Sequence, residues 1–317
     1  MQDPRPTVAS RPVAFSAASG VWNITDHIPL ESVIVQGHRG VGALAEENTL
    51  EAFELAWRMG LYPEADLRMT RDGVIVPFHD HDFSRVVKDA PGPLQRMGVE
   101  HLTYAELSQL DVGSWKGEQF KDRHVVRMAA IFELMQSRPE RHLYMDVKQI
   151  DFRLLAAEVK QFGLERQIVL ATSEVAQLRA WRTLVPESET LLWLHGNETV
   201  VRTALAELAA TRFDGVTQVQ LHVYAKLTDD TWAPPVDAST ADNPFRLSNA
   251  FLREAGDALR AYSVLYQAFP WTDASSVYAQ LLDLGVMSLA TDHPIVARRE
   301  LQAYYAGKVT RKSRAGG

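Results

Sequence analysis

The chain of 317 residues contains no cysteine. This absence excludes disulfide bonds, thiolate metal sites and cysteine nucleophiles, and it leaves the redox compartment open. Long apolar runs are missing too, because no stretch of the sequence approaches the roughly 18 uncharged apolar residues that a bilayer crossing requires. We therefore predict no integral membrane segment.

Positive charge is in deficit. Lys and Arg number 33 against 40 Asp and Glu, which gives a formal net charge of −7. Nucleic-acid binders usually carry a basic patch or stripe, and the basic stretch of this chain is a short segment at its C-terminus. We predict no nucleic-acid partner. A phosphate ligand would have to be held by local cationic groups, because the overall field is negative.

The remaining composition, 46% apolar and 23% charged, is ordinary for a globular protein. The first 20 residues are rich in Pro, Ser and Ala and lack an apolar core long enough for a signal peptide. We predict a flexible leader at 1–20, a single domain at 21–305 and a basic tail at 306–317. The compartment stays open between the cytoplasm and export with the leader removed.

Short β-branched runs alternate with amphipathic helical patterns along the domain, which predicts βαβ units and a parallel sheet. Eight such pairings in roughly 270 residues match the size of a closed (β/α)8 barrel, or TIM barrel. An open doubly wound sheet is the alternative, and we favour the barrel. The predicted strands are 33–36, 62–69, 142–148, 167–172, 189–195, 215–223, 262–269 and 286–291.

One region departs from this rhythm. The dipeptide Asp72-Gly73 predicts a turn that returns the chain along the second strand as a hairpin. The following segment, about 81–130, does not follow the barrel pattern, and we predict a small inserted subdomain over the C-terminal mouth of the barrel. Its apolar side chains Phe83, Trp115 and Phe120 either pack this subdomain against the barrel, which we favour, or make transient contact with a lipid surface.

Acidic residues occupy two of the predicted strands. Glu64 and Asp66 are spaced i, i+2, as are Asp146 and Lys148, so each pair points to one face of its strand. Three converging buried carboxylates are unfavourable unless a cation neutralises them. Oxygen ligands of this kind suit Mg²⁺ or Ca²⁺. The alternative is that these carboxylates lie at the surface in ordinary ion pairs.

Two histidines terminate predicted strands at the same rim, namely His38 and His79. Imidazoles in such positions can act as general base and general acid near neutral pH. His81 lies close to His79 in sequence, but it points inward only if the strand continues through Asp80, and we rank it lower. The glycines at 37–42 do not have the spacing of a dinucleotide-binding fingerprint.

Several short motifs then occur in a fixed order, and together they carry a resemblance. They are His38-Arg39-Gly40, Glu47-Asn48-Thr49, Glu64-x-Asp66, Thr70-x-Asp72-Gly73, His79-Asp80, Asp146-x-Lys148, Trp271-Thr272 and Thr291-Asp292-His293-Pro294. This ordered set resembles the glycerophosphodiester phosphodiesterase family over about residues 33–299. The resemblance implies a metal-dependent TIM-barrel enzyme that hydrolyses small-molecule glycerophosphodiesters to glycerol 3-phosphate and an alcohol.

The resemblance also implies roles for individual residues. His38 and His79 would be the catalytic acid–base pair, and we expect His38 to be the base in the first step. The other implied roles are one divalent ion held by Glu64, Asp66 and Asp146, phosphate oxygens held by Arg39 and Lys148, and a pocket wall formed by Trp271.

One position differs from the usual family pattern. The third metal ligand is usually Glu in this family, whereas here it is Asp146, as in related phospholipase D-type toxins. This difference adds lysophospholipids, cleaved as by a lysophospholipase D, as a second candidate substrate class. The chain nevertheless keeps Glu47-Asn48-Thr49 and has no cysteine-bridged loop. A third alternative is a barrel that binds a phosphodiester or lipid headgroup without turnover.

Overall fold

The computed structural model describes residues 22–88, 90–223 and 247–315, with side chains as far as residue 307. Eight parallel strands follow one another around a barrel, and pairing of β1 with both β2 and β9 closes it. The predicted barrel is confirmed. The strands are β1 Val35–Gly37, β2 Tyr62–Met69, β3 Ile75–Pro77, β4 Leu143–Gln149, β5 Ile168–Thr172, β6 Glu189–Leu194, β7 Gln218–His222, β8 Leu265–Phe269 and β9 Ser288–Thr291.

One further strand, β3, lies outside the eight-stranded barrel and pairs antiparallel with β2, as the Asp72-Gly73 turn predicts. The predicted leader lies outside the described residues, and the backbone of 306–315 continues the last helix. The helices are α1 Leu50–Arg58, α2 Gly92–Gln95, α3 Tyr104–Leu107, α4 Met128–Met135, α5 Phe152–Phe162, α6 Val175–Leu184, α7 Glu198–Ala210, α8 Asn249–Ala261, α9 Ser275–Asp283 and α10 Pro294–Ala315. Within the described part of the chain, every helix is too short or too polar to cross a membrane.

Local sequence signals set the helix boundaries. Thr49 caps α1 by accepting a hydrogen bond from the backbone N–H of Ala52, and Asp151 caps α5 in the same way. Gly163 ends α5 in the left-handed conformation, with φ of 67°. The apolar faces of the longer helices pack on the outside of the barrel in one large cluster with the strands. This packing holds the strand ends rigidly enough to carry a site.

The barrel interior below the mouth contains a polar layer, which the apolar strand runs do not indicate. Gln220 donates to Gln36 across the barrel at 3.1 Å, and Tyr144 donates to Gln218 at 2.7 Å. Gln267 continues this network. All of these side chains are buried. Because each buried polar group has a partner, the network costs little and fixes the strands in register.

The segment between β3 and α4 forms a small unit with its own apolar core. Phe83 is completely buried there, and Trp115 packs against the same cluster. Phe120 packs instead against the main core. Phe83, Trp115 and Phe120, for which the sequence left packing or lipid contact open, therefore pack the insertion together and against the barrel.

Candidate active site

The three predicted carboxylates converge at the C-terminal mouth of the barrel. Asp66 and Asp146 are direct neighbours in the register of β2 and β4, and Glu64 lies two residues earlier on β2. One oxygen from each carboxylate lies within 4.8 Å of the other two, and all three side chains are buried. This set of hard oxygen donors fits a divalent cation such as Mg²⁺ or Ca²⁺.

The electrostatics of this triad (Glu64, Asp66 and Asp146) show how much positive charge it requires. Burial raises the pKa of Glu64 to about 7, and the neighbouring carboxylates add to the shift. Burial also raises the pKa of Asp146. Three ionised carboxylates at this spacing are therefore unfavourable without a further cation.

Lys148 supplies part of that charge. Its Nζ lies 2.5 Å from Asp146 Oδ2 and 3.1 Å from Asp66 Oδ1. Burial alone would lower the pKa of Lys148, but these two carboxylates hold it above its ordinary value. Burial alone would likewise raise the pKa of Asp66, which Lys148 and the other nearby cations lower instead. Lys148 is therefore a permanent cation in contact with the triad.

His38 follows β1 and lies beside Glu64. Its Nδ1 is 2.7 Å from Asp292 Oδ1, which follows β9. Burial alone would lower the pKa of His38, but the charges of Glu64 and Asp292 raise it overall. If Nδ1 carries the proton shared with Asp292, Nε2 is left as a basic nitrogen. Asp292 was not predicted as a site residue from the sequence, although it lies in one of the motifs that carry the resemblance.

His79 forms the corresponding pair on the other flank. Its Nδ1 lies 2.7 Å from Asp80 Oδ1, and the charge of His79 contributes to the lowered pKa of Asp66. The structure therefore brings His38 and His79 to the same triad. His81 is different, because its side chain is 88% exposed and pairs with Asp82.

The loop after β1 positions Arg39. Arg39 has a φ of 52°, in the left-handed region that few non-glycine residues adopt. Its Nη1 donates to both oxygens of Glu47 at 3.2 Å, and its Nε lies 3.9 Å from Asp66 Oδ2. The Nε atom is buried without a hydrogen-bond partner. Asn48 fixes the end of this loop, because its side chain donates to the Asp66 carboxylate and accepts from the Asp66 backbone N–H.

The same loop requires a glycine at position 42. Gly42 has a φ of 59°, and a Cβ there would lie 2.3 Å from the Asp292 carbonyl oxygen. We expect Gly42→Ala to lower the free energy of unfolding by about 1–2 kcal/mol for the backbone conformation and by a further ~1–3 kcal/mol for the clash. Gly163→Ala is the matched control, since Gly163 has a φ of 67° and open space around it. Urea unfolding that gives both variants equal losses would show that the clash is relieved without cost.

A cavity of about 380 Å³ opens beside His38 and Arg39. Trp271 forms one wall, stacked on Phe269 with 4.0 Å between ring centroids and in edge contact with His38 at 5.4 Å. The insertion supplies Trp115 and Lys116 to the lining of the same cavity. Trp271 and the insertion therefore border the same cavity beside His38.

Two further aromatic side chains near the triad, Trp193 and His222, were not predicted as site residues from the sequence. Trp193, at the end of β6, donates from Nε1 to Asp146 Oδ1 at 3.0 Å. Its ring stacks on His222 with 5.5 Å between centroids. Burial lowers the pKa of His222 to about 3, so this imidazole is neutral, and its Nε2 lies 2.8 Å from Gln220 Oε1. The sequence could have indicated Trp193 and His222 by their position alone, because both lie at the C-terminal ends of predicted strands.

Comparisons with known proteins agree with this geometry. The sequence profile described as the glycerophosphoryl diester phosphodiesterase family matches residues 38–296. A glycerophosphodiester phosphodiesterase of Caldanaerobacter subterraneus subsp. tengcongensis is 26% identical over 161 residues, covering 48% of this chain and 63% of that protein. Lysophospholipase D GDPD3 of Mus musculus is 27% identical over 172 residues, covering 51% and 50%. The chain thus matches less than two thirds of the length of these curated relatives.

Solved structures share the fold. A phosphodiesterase from Oleispira antarctica, determined in complex with the product sn-glycerol-3-phosphate, superposes with a TM-score of 0.60 at 21% identity. The superposition covers 85% of this chain and 96% of that one. Because the family profile extends from His38 through the start of α10 and so matches most of the chain, the chain belongs to the glycerophosphoryl diester phosphodiesterase family.

Proposed function

We propose that the protein hydrolyses glycerophosphodiesters to glycerol 3-phosphate and an alcohol. The observation that carries this proposal is the buried carboxylate triad between two histidines, each bonded through Nδ1 to its own aspartate. Membership of the family supports the same activity. Glu64, Asp66 and Asp146 would hold one divalent ion, which when bound neutralises charge on the non-bridging phosphate oxygens.

The remaining chemistry falls to the side chains of the chain itself. Arg39 and Lys148 would hold the non-bridging oxygens, because both are cations next to Asp66. The buried Nε of Arg39 without a hydrogen-bond partner is a donor in position for such an oxygen. Trp271 would pack against the organic part of the substrate in the cavity beside His38.

The proposed route has two steps. In the first, the glycerol hydroxyl next to the phosphate attacks phosphorus and loses its proton to Nε2 of His38. The bond from phosphorus to the alcohol oxygen breaks, and His79 protonates that oxygen. In the second, water opens the cyclic phosphate, giving its proton to His79 while His38 returns a proton to the glycerol oxygen. The raised pKa of His38 makes it a stronger base for the first step.

An activity panel tests the proposal. We expect purified protein to release alcohol and glycerol 3-phosphate from at least one of glycerophosphocholine, glycerophosphoethanolamine and glycerophosphoinositol, with Ca²⁺ or Mg²⁺ present, and to stop when EDTA is added. If none of the three gives product while calorimetry still detects their binding, the protein is a barrel that binds phosphodiesters without turnover and the proposed activity is wrong. Product formation that EDTA does not affect would remove the metal from the proposal.

Lysophospholipids are the second candidate substrate class. The cavity of about 380 Å³ has room for more than a glycerol unit, and two of its walls are the aromatic side chains Trp115 and Trp271. Asp146 also takes the place of the usual glutamate. Including lysophosphatidylcholine in the same panel decides between the classes by comparing kcat/KM. Vesicle co-sedimentation checks separately for contact with a lipid surface.

Trp193 provides a test of the proposed metal site. Trp193→Phe keeps the ring stacked on His222 but removes the N–H that holds Asp146. We expect this variant to bind Ca²⁺ or Mg²⁺ about 10–100-fold more weakly, the usual effect of losing a partner that orients a metal ligand. Isothermal titration calorimetry measures the affinity directly. Unchanged affinity would mean that Lys148 alone orients the Asp146 carboxylate.

A further inference from the structure

The insertion contains a cationic residue, Arg85, that contacts carboxylates at the edge of the site but has no role in the proposed chemistry. Arg85 lies between two carboxylates, Glu47 and Asp80. Its Nη1 and Nη2 contact the two oxygens of Glu47 at 3.0 and 2.5 Å. Its Nε and Nη2 contact the two oxygens of Asp80 at 2.7 and 3.1 Å. One guanidinium thus forms a two-point contact with each carboxylate.

Each of these carboxylates contacts a residue with a proposed role. Glu47 also accepts two hydrogen bonds from Arg39, and Asp80 pairs with Nδ1 of His79. Arg85 is therefore the middle of a continuous chain of contacts that runs from Arg39 to His79. Among the described residues, no hydrogen bond joins Arg85 to either end of this chain of contacts, so its orienting contacts reach Arg39 and His79 through the two carboxylates.

The position of Arg85 is itself fixed by the insertion. Its guanidinium carbon lies 4.9 Å from the centroid of the Trp115 ring, a cation–π distance. The Trp115 indole donates to the carbonyl of Val112, and its ring packs against the insertion core. Trp115 also lines the cavity beside His38. The guanidinium is thus restrained by a ring and by two carboxylates.

The charges agree with an orienting role. Burial alone would raise the pKa of Asp80, but its hydrogen bonds to His79 and Arg85 lower it, so the carboxylate stays ionised. An ionised Asp80 accepts a hydrogen bond from Nδ1–H of His79, so Nε2 is the nitrogen that gains and loses a proton at the site. With a proton on Nε2, His79 can donate to the leaving oxygen, and without it His79 can accept a proton from water. A lysine could supply the charge but not the two-point contacts, because its ammonium is a compact point donor.

We propose that Arg85 is a positioning residue through which the insertion fixes the tautomer and orientation of His79, by way of Asp80, and the orientation of Arg39, by way of Glu47. This inference rests on the proposed function for its catalytic consequence. It assigns the insertion a part in the chemistry, beyond covering the mouth of the barrel.

Steady-state kinetics test the catalytic part. We expect Arg85→Gln to lower kcat on a glycerophosphodiester about 10–100-fold and Arg85→Lys to restore only a minor share. Arg71→Gln is the matched control: Arg71 also links to the insertion, by contacts of 3.0 Å to Glu106 and 2.8 Å to the His101 carbonyl, without contacting the site. We expect this control to keep its activity. Full recovery in Arg85→Lys would overturn the role of the two-point contacts.

A double-mutant cycle separates positioning from general destabilisation. In a background carrying Glu47→Gln and Asp80→Asn, adding Arg85→Gln should lower kcat by less than about threefold, because the route to His79 is already lost. A reduction as large as in the wild-type background would overturn the proposal. Thermal unfolding of each variant identifies losses of activity that come from loss of folded protein.

Nitrogen-15 NMR of the histidine side chains gives a readout that needs no turnover. At a pH where His79 is neutral, we expect the wild-type protein to carry the His79 proton on Nδ1, and Arg85→Gln to produce a mixture of the two tautomers. An unchanged His79 tautomer would overturn the inference. Should the wild-type protein cleave no glycerophosphodiester at all, the proposed function fails, and the NMR comparison still decides whether Arg85 positions His79.

Discussion

Replacement of His79 by alanine is expected to lower kcat on a glycerophosphodiester by about 10²–10⁴-fold, the usual contribution of a positioned acid or base. The expectation follows from the pairing of His79 Nδ1 with Asp80 at 2.7 Å, which leaves Nε2 as the reactive nitrogen. Because the imidazole donates to the leaving oxygen during bond cleavage, its loss should reduce kcat far more than it changes KM.

His81→Ala is the matched control for this variant. It removes an imidazole two positions along the chain whose side chain is 88% exposed. We expect its kcat to stay close to that of the wild-type protein. Calorimetric titration with Ca²⁺ should give similar affinities for both variants, since neither histidine is among the proposed ligands. A His79→Ala protein with wild-type kcat would remove His79 from the mechanism.

Much of the barrel could be predicted from the sequence because its signals are local. Each strand is a short β-branched run between a helix end and a helix cap. Six of the eight predicted runs contain the whole strand found in the structure, and β1 and β4 each extend one residue beyond the predicted run. The i, i+2 spacing of Glu64 and Asp66 also determines that both side chains share a face, whatever the rest of the chain does. Convergence with Asp146 then followed from placing neighbouring parallel strands side by side.

The partners of the site residues could not be predicted in the same way, because they are distant in sequence. Asp292 pairs with His38 across 254 positions, a contact that depends on closure of the barrel. Arg85 reaches Glu47 across 38 positions, and this contact depends on how the insertion folds. No periodicity encodes such pairs. A loop residue shows its partner only when the scaffold that carries both is known.

The polar interior was missed for a different reason. Gln36 and Gln267 are single polar residues in otherwise apolar strands, and Gln220 lies between the apolar residues Val219 and Leu221, so each resembles a minor interruption of the pattern. Their hydrogen bonds connect β1, β7, β8 and β9, so the network exists only once the barrel has closed. Two residues beyond Gln36 and Gln267 along their strands lie His38 and Phe269, respectively. The glutamine layer thus supports the floor of the site.

Replacement of Glu64 by glutamine is expected to lower kcat at least about 10²-fold even with Ca²⁺ or Mg²⁺ in excess, because it removes charge from the proposed ligand set. When metal is withheld, we also expect Glu64→Gln to be more stable than the wild-type protein near neutral pH. Burial raises the pKa of Glu64 from 4.5 to about 7. Stability from such a group is fully present below its ordinary pKa and is lost as the pH rises through about 7.

Glutamine does not titrate, so the difference between the two proteins isolates this carboxyl. In EDTA, the melting temperature of Glu64→Gln minus that of the wild-type protein should increase from pH 4.5 to pH 7 and then level off. Adding Ca²⁺ or Mg²⁺ at pH 7.5 should reverse the order, since metal stabilises the wild-type site more. Glu118→Gln, at a side chain that is 86% exposed, controls for the loss of one carboxylate. A melting-temperature difference that is flat with pH and insensitive to metal would show that Glu64 carries no unfavourable charge and binds no ion.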